Sequence, residues 1–187
     1  MAFGADHSFT GNLIVEAPQN PAGPYEPADP IGREQRQPFI DAIAAAPSRL
    51  REAVAGLTEE QLDTRYRNWT IRQIVHHLAD SHVNCYVRFK WALTEDQPTI
   101  KAYDEGRWAA LEDSRTGDIA VPLAFLEAIH ARWILLLRSM SDEQFQRSFI
   151  HPETGKTVVL STLLSSYAWH GRHHTAQITW LRQQQGW

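Results

Sequence analysis

The sequence predicts an all-α fold: a bundle of long amphipathic helices with one small β-hairpin before the last of them. Three observations support this. Residues 71–94, 122–140 and 162–184 each repeat apolar side chains at helical spacing, about 100° per residue. A helix-starting residue opens each stretch, namely Thr70, Pro122 and Ser161. Only residues 149–160 carry a strand pattern, and a turn sequence divides it. Hydrophobic residues make up 43% of the 187, enough for one full core, and seven Trp, seven Phe and five Tyr make that core aromatic.

Residues 1–30 hold Pro18, Pro21, Pro24, Pro27 and Pro30 with several glycines. They read as an extended arm, either mobile or laid across the body, with residues 31–187 as a single helical domain. Helical pattern begins near Gly32. Pro38 and Pro47 are expected to interrupt it, because each lacks an N–H and clashes with the preceding turn. Pro47 then stands near the first turn of a new segment, Ser48–Ala55, which Gly56 ends. Thr58 caps a short turn, with Gln61 in capping-box position. Thr70 caps the next helix, Ile71–Thr94, whose apolar stripe is Ile71, Ile74, Val75, Leu78, Cys85 and Phe89. Pro98 to Gly117 is a connection with a short helical piece around Glu105–Leu111. Pro122 suits the first turn of a helix ending near Met140, which buries Leu123, Leu126, Ile129, Trp133 and Leu137. Ser141 to Phe145 is another capped turn. Phe149 and Ile150, the turn PETGK, and Thr157 to Val159 make the hairpin. Ser161 caps the last helix, about Thr162–Gln184. No internal repeat is evident.

Several function classes are disfavoured. A net charge of −4 argues against a nucleic-acid partner, which normally wants a basic face. No window approaches the ~18 unbroken apolar residues of a membrane span. The first twenty residues lack a basic region followed by a long apolar one, so no signal peptide is expected. Cys85 is the single cysteine, which excludes an internal disulfide; a cytoplasmic location is the expectation, and the thiol reads as a small buried hydrophobe. No G-x-S-x-G, phosphate-binding loop or dinucleotide fingerprint appears.

Three of the nine histidines stand apart from the rest. His170 and His174 are four residues apart on the last helix, within the stripe formed by Leu163, Tyr167, Ile178 and Leu181. Their Cβ atoms therefore lie about 6 Å apart, suited to one divalent ion. His77 lies at the margin of the apolar stripe on the 71–94 helix, beside Thr70, Ser81 and Arg88. An HxxxH pair alone is equally a pair of core histidines. Unpaired imidazoles in a core lose hydration, however, and a metal compensates. His76 points to the opposite, solvent-facing side, and His173 lies off its stripe; with His130 and His151 they read as structural or surface groups. His82 sits inside the apolar stripe and is expected to hydrogen-bond within the bundle. Asp80 is partly turned away from His77. Gln177, three residues after His174, is placed to orient a ligand or bound water. Trp69 and Trp169 flank the two motifs as candidate cavity walls.

The segments WTIRQIVHHLADSHVNCYVRFKWALTE (69–95), AYDEGRWAALEDS (102–114), LEAIHARWILLLRSM (126–140) and HPETGKTVVLSTLLSSYAWHGRHHTAQI (151–178) resemble the DinB/YfiT-like superfamily. Within it they are similar to the YfiT branch of metal-dependent hydrolases and bacillithiol S-transferases. The resemblance covers roughly residues 30–187 and implies an up-down-down-up four-helix bundle, often a homodimer. The family's ligand triad carries over to the His before Leu-Ala-Asp, His77, and to the two His of HxxxHxxQ, His170 and His174. Helical phase selects the same three.

Three neutral imidazoles leave the full +2 charge on a bound ion. Such an ion acidifies a bound water, the route to hydrolysis, or a bound thiol, the route to S-transfer onto a small electrophile. Zinc or nickel is the expected metal and a low-molecular-weight thiol a candidate cosubstrate. Arg88 is placed to bind a carboxylate of substrate or thiol, or to make a surface salt bridge. Tyr167, one turn before His170, is placed to donate to a developing oxyanion, or simply to pack. The alternative is a non-catalytic, metal-stabilised helical module that binds a small molecule. A fourth protein ligand closing the site would favour that reading.

Overall fold

The structure is a computed structural model that describes residues 16–27 and 31–187. Most of the arm expected over residues 1–30 therefore lies outside the described residues. In chain order the elements are α1 (Arg33–Val54), α2 (Glu59–Leu62), β1 (Arg65–Tyr66), β2 (Trp69–Thr70), α3 (Ile71–Thr94), α4 (Glu105–Ala109) and α5 (Glu112–Thr116). There follow α6 (Ala120–Ser139), α7 (Asp142–Phe145), β3 (Ser148–Ile150), β4 (Thr157–Val159) and α8 (Leu160–Gln185). Four helices, α1, α3, α6 and α8, form the bundle. α1 and α3 each pack against both α6 and α8, so they face one another across a diagonal. The fold class is the helical bundle that the periodicity predicts.

Local chemistry accounts for most element ends. The Thr70 hydroxyl accepts from Gln73 N (3.1 Å), and the Gln73 side chain returns a bond to Thr70 N (2.9 Å). Thr58 with Gln61 and Ser141 with Gln144 repeat this reciprocal cap on α2 and α7. Gly155, at φ 64°, supplies the left-handed residue in the turn between β3 and β4. The expected cap at Ser161 is not formed. β4 runs straight into α8, and Leu160 N donates instead to Arg147 O (2.9 Å), so the adjoining chain satisfies the helix start. The helical piece expected around Glu105–Leu111 is two short helices, α4 and α5. The two-residue hairpin β1–β2 lacks an Asn-Gly signal. Its turn places Arg67 at φ 53°, and it gave no strand pattern in the sequence.

The largest departure is α1. Pro47 was expected to end one segment and start another, yet a single helix runs through both Pro38 and Pro47. Packing overrides the local cost. Ile40, Ile43, Pro47, Leu50 and Val54, spaced three and four residues apart, make one buried stripe that continues through the proline. Burial of that stripe against α6 and α8 offsets the roughly 3 kcal/mol that an interior proline costs a helix. The carbonyl deprived of its helical partner, Ile43 O, accepts from His130 Nδ1 on α6 (2.7 Å).

The core has two apolar clusters with a layer of histidines between them. One cluster holds Ile43, Cys85, Phe89, Trp133, Leu164 and Tyr167. The other holds Leu50, Ile74, Leu78, Leu126, Ile129 and Ile178. In each long helix the chain crosses from one cluster to the other at a common level. Pro47 marks it on α1, His82 on α3, His130 on α6, and His170 and His174 on α8. Among the described residues α6 alone is long and apolar enough to cross a bilayer by length and composition. Its Leu123, Leu126, Trp133 and Leu137 face the bundle core, while Val121, Phe125 and Leu135 of the same helix are exposed.

Residues 16–27 lie across the body without helix or strand. Tyr66 Oη donates to Pro18 O, Arg67 Nη1 to Ala17 O (2.9 Å), and Trp169 Nε1 to Gly23 O (3.0 Å). The Tyr25 hydroxyl bonds Ser165 Oγ (2.8 Å). These bonds tie the segment to the ends of the site described next.

Candidate metal centre

His77 comes from α3, capped by Thr70 seven residues before it, and His170 and His174 come from adjacent turns of α8. One nitrogen of each ring meets the others in a cluster within 4.8 Å. His77 Nε2 and His170 Nε2 stand 3.3 Å apart. Two nitrogens each ~2.0–2.1 Å from a tetrahedral ion subtend about 3.3 Å, so this pair already has ligand spacing. The sequence assignment of these three residues to one cluster agrees with the geometry.

The rings are neutral. Burial pushes His77 down to about 4. Burial first, and the neighbouring imidazoles second, hold His170 and His174 well below the usual histidine range. Their hydrogen bonds then decide which nitrogen is bare. Gln177 Oε1 accepts from His174 Nδ1 (2.8 Å), which leaves Nε2 of His174 with its lone pair free. The Gln177 amide donates in turn to His173 Nε2 (3.0 Å). His170 Nδ1 pairs with His82 Nε2 (3.2 Å), so its Nε2 also faces the cluster. The bare Nε2 atoms of His170 and His174, each with a partner behind its ring, and the adjoining His77 ring fit a divalent ion.

Trp69 walls one side, its ring 4.5 Å from that of His77 and 6.0 Å from that of His174. A cavity of about 370 Å³ opens beside it, bounded by Trp69, Tyr66, Asn68, Glu105, His174 and Gln177. Trp169 does not share this role. It stacks on His173 at 4.5 Å and holds the residue 16–27 segment.

The other candidates fall into place unevenly. Gln177 bonds His174 directly, with no bridging water between them. Tyr167 is buried, its ring 5.3 Å from His170, and its hydroxyl accepts from Ser81 Oγ (3.2 Å). Burial pushes its phenol well up, only partly offset by the nearby Arg88 charge. Arg88 is 9% exposed, its Nε has no partner, and no carboxylate of the described residues lies within salt-bridge distance. The surface salt bridge considered for it is therefore not formed. His76 is not solvent-facing as helical phase suggested. It is half-buried beneath the end of α5, where a Cβ on Gly117 would lie 3.2 Å from its ring, and burial lowers its pKa. Asp80 bonds none of the three histidines. Burial first, then Asp113, raises it to about 6.

Sequence reasoning placed His130 among structural or surface groups and did not connect it to the site. It bonds His82 Nδ1 through Nε2 (2.7 Å), so the two join His170 to α1. The available signal was phase: His130 adjoins Ile129 on the face that also carries Leu126 and Trp133.

Gln177→Ala is expected to weaken zinc binding roughly 10–100-fold, as loss of a ligand's partner does. Gln177→Glu keeps an acceptor at the same place and should lose less. Competition with a chromophoric chelator measures both, and equal affinities in wild type and Gln177→Ala would remove Gln177 from the site.

Comparison with known proteins gives consistent matches. The family model of the DinB superfamily matches residues 42–178. A Bacillus subtilis (strain 168) protein named "Putative metal-dependent hydrolase YfiT" is 47% identical over 169 residues, covering 89% of this chain and 95% of that one. A Bacillus cereus (strain 03BB102) protein named as a metal-dependent hydrolase in the same terms is 48% identical over 169 residues, covering 89% and 96%. The solved structure of YfiT from Bacillus subtilis, described as a four-helix bundle of unusual topology, matches with a TM-score of 0.87 over 90% of this chain and 97% of that one. A mycothiol-dependent maleylpyruvate isomerase matches at 15% identity with a TM-score of 0.63, a likeness of fold alone.

Proposed function

This chain belongs to the DinB superfamily and to its YfiT branch, and from that premise we propose that it is a metal-dependent hydrolase of small electrophiles that carry an anionic group. The observation that carries the proposal is the convergence of three neutral imidazoles, from α3 and α8, with no carboxylate of the described residues among them. A divalent ion held there, zinc or nickel by the softness of the donors, supplies Lewis-acid activation of a water or thiol nucleophile. His77, His170 and His174 bind it, and Gln177 keeps the His174 lone pair aimed. Trp69 and Tyr66 shed water from one side of the neighbouring cavity. Arg88 lies beyond Ser81 on the α3 face that bears His77, beside Tyr167. An unpaired guanidinium in that position is a receptor for a carboxylate or phosphate of the substrate. The same arrangement suits transfer of a low-molecular-weight thiol when thiol replaces water as the nucleophile.

The test starts with tag-free protein purified without oxygen, metal quantification, and a panel of carboxylate-bearing esters, amides and alkyl electrophiles. Each is offered with and without bacillithiol, cysteine or glutathione. Turnover without thiol is expected, and Arg88→Met should raise KM for anionic substrates about tenfold or more while sparing neutral analogues; one charge-assisted bond of ~1.5–3 kcal/mol corresponds to that range. Strictly thiol-dependent consumption would replace hydrolysis by S-transfer. Bound metal with saturated protein coordination and no turnover would leave the binding-module reading.

A further inference from the structure

A proline inside a helix exposes a carbonyl four residues earlier, and here that carbonyl ends a line of histidines leading to the metal centre. We propose that Pro47, through the Ile43 carbonyl that it frees, fixes the tautomers of His130, His82 and His170 in turn and so holds the His170 lone pair toward the ion.

The polarity of the line follows from its end. Ile43 O would ordinarily take the N–H of residue 47, and proline has none. A carbonyl only accepts, so His130 Nδ1, 2.7 Å away, carries a proton. In a neutral ring the other nitrogen is then bare, and His130 Nε2 accepts from His82 Nδ1 at 2.7 Å. His82 Nε2 is bare for the same reason and accepts from His170 Nδ1 at 3.2 Å. His170 Nε2 is left as the unprotonated nitrogen, 3.3 Å from His77 Nε2. Reversing the line would require a carbonyl to donate. Breaking it with a second proton would place an imidazolium where His82 is 0% and His130 2% exposed, bonded only to imidazoles and a carbonyl. Packing supports the line throughout. His82 and His130 stack with ring centroids 4.9 Å apart, and both rings meet Trp133 edge to face. Gly171 of α8 lies against the line, where a Cβ would be in ordinary contact with Ala46 Cβ and the His82 ring.

Pro47, His130 and His82 are thus positioning residues, and they span the bundle from α1 to α8. Only the consequence for metal affinity rests on the reading of His170 as a ligand; the tautomers are a property of the metal-free chain. Long-range ¹H–¹⁵N correlation spectra of histidine-labelled, metal-free protein read them directly. His170, His82 and His130 are expected as Nδ1–H tautomers. Pro47→Ala restores a helical N–H for Ile43 O and, as an ordinary helix substitution, should not unfold the protein. It is expected to move His130 and His170 toward mixed tautomers and to weaken cobalt(II) binding. His130→Phe, which keeps a packed ring, should likewise move His170 toward mixed tautomers and weaken cobalt(II) binding roughly tenfold or more. An Nε2–H signal for His170 in the wild type would overturn the proposal. So would unchanged His170 signals and cobalt affinity in both variants. Altered tautomers in a chain that binds no metal would uphold the line and sink the metal reading instead.

Discussion

His170→Ala is expected to abolish stoichiometric zinc or nickel binding, and with it turnover, while His76→Ala retains both. The two residues differ in what surrounds them, not in chemistry. His170 contributes a nitrogen 3.3 Å from that of His77 and is the end of the line through His82. Its removal takes away one of three donors and strands the His82 Nε2 acceptor in the core. The loss in affinity should exceed the roughly 10–100-fold seen when only a ligand's hydrogen-bond partner is changed. His76 immediately precedes His77 but sits under α5 against Gly117, outside the cluster. Elemental analysis of tag-free protein, with circular dichroism as the check on folding, makes the comparison. Retention of a full equivalent of metal by a folded His170→Ala protein would remove the premise for the proposed activity.

How much of this was legible before the structure depends on the range of the interaction. His77, His170 and His174 were visible because helical phase is local: a ring's direction follows from a few residues on either side. The capping boxes at Thr58, Thr70 and Ser141 are local in the same sense. Pro47 was misread for the converse reason. Its intrinsic effect is to break a helix, and what keeps α1 whole is a stripe packed on α6 and α8, residues remote in sequence. His82 was recognisable as a polar group in an apolar stripe, but its partner His130 lies 48 positions later, and the Ile43 carbonyl that His130 meets lies 87 positions before His130. Arg88 is similar. Phase put it on the His77 side of α3, and only the packed structure shows that no acid of the described residues reaches it. The β1–β2 hairpin escaped notice because two-residue strands have no periodicity to read. Its turn uses Arg67 at positive φ in place of glycine or asparagine.

The histidine layer that builds the site should also make the metal-free protein sensitive to acid. Burial holds His77 and His130 down to about 4 from an ordinary value of 6.5, and His82, His170 and His174 well below it. The sign follows from proton counts. Above pH 6.5 these rings are neutral in both folded and unfolded chains and contribute nothing to the slope. Between 6.5 and about 4 the unfolded chain binds protons that the folded chain refuses, so stability falls as pH falls. Each unit is worth about 1.4 kcal/mol per group, hence about 3 kcal/mol apiece for His77 and His130 across that window. Two such terms alone approach the 5–15 kcal/mol of a typical domain. Asp80 and Glu105 act in the opposite direction, since burial raises both and the folded chain then binds their protons first. Both are only half-buried, and they are two carboxyls set against five imidazoles. Urea midpoints are therefore expected to drop steeply from pH 7 to pH 5 with little change in slope, and the fall should be shallower in His82→Phe/His130→Phe protein. Saturating zinc, which binds the folded chain, should raise the midpoint at neutral pH by RT ln(1 + [Zn]/Kd). A midpoint that stays level down to pH 5 in the metal-free protein would mean that these rings are hydrated or paired in ways the packed layer excludes.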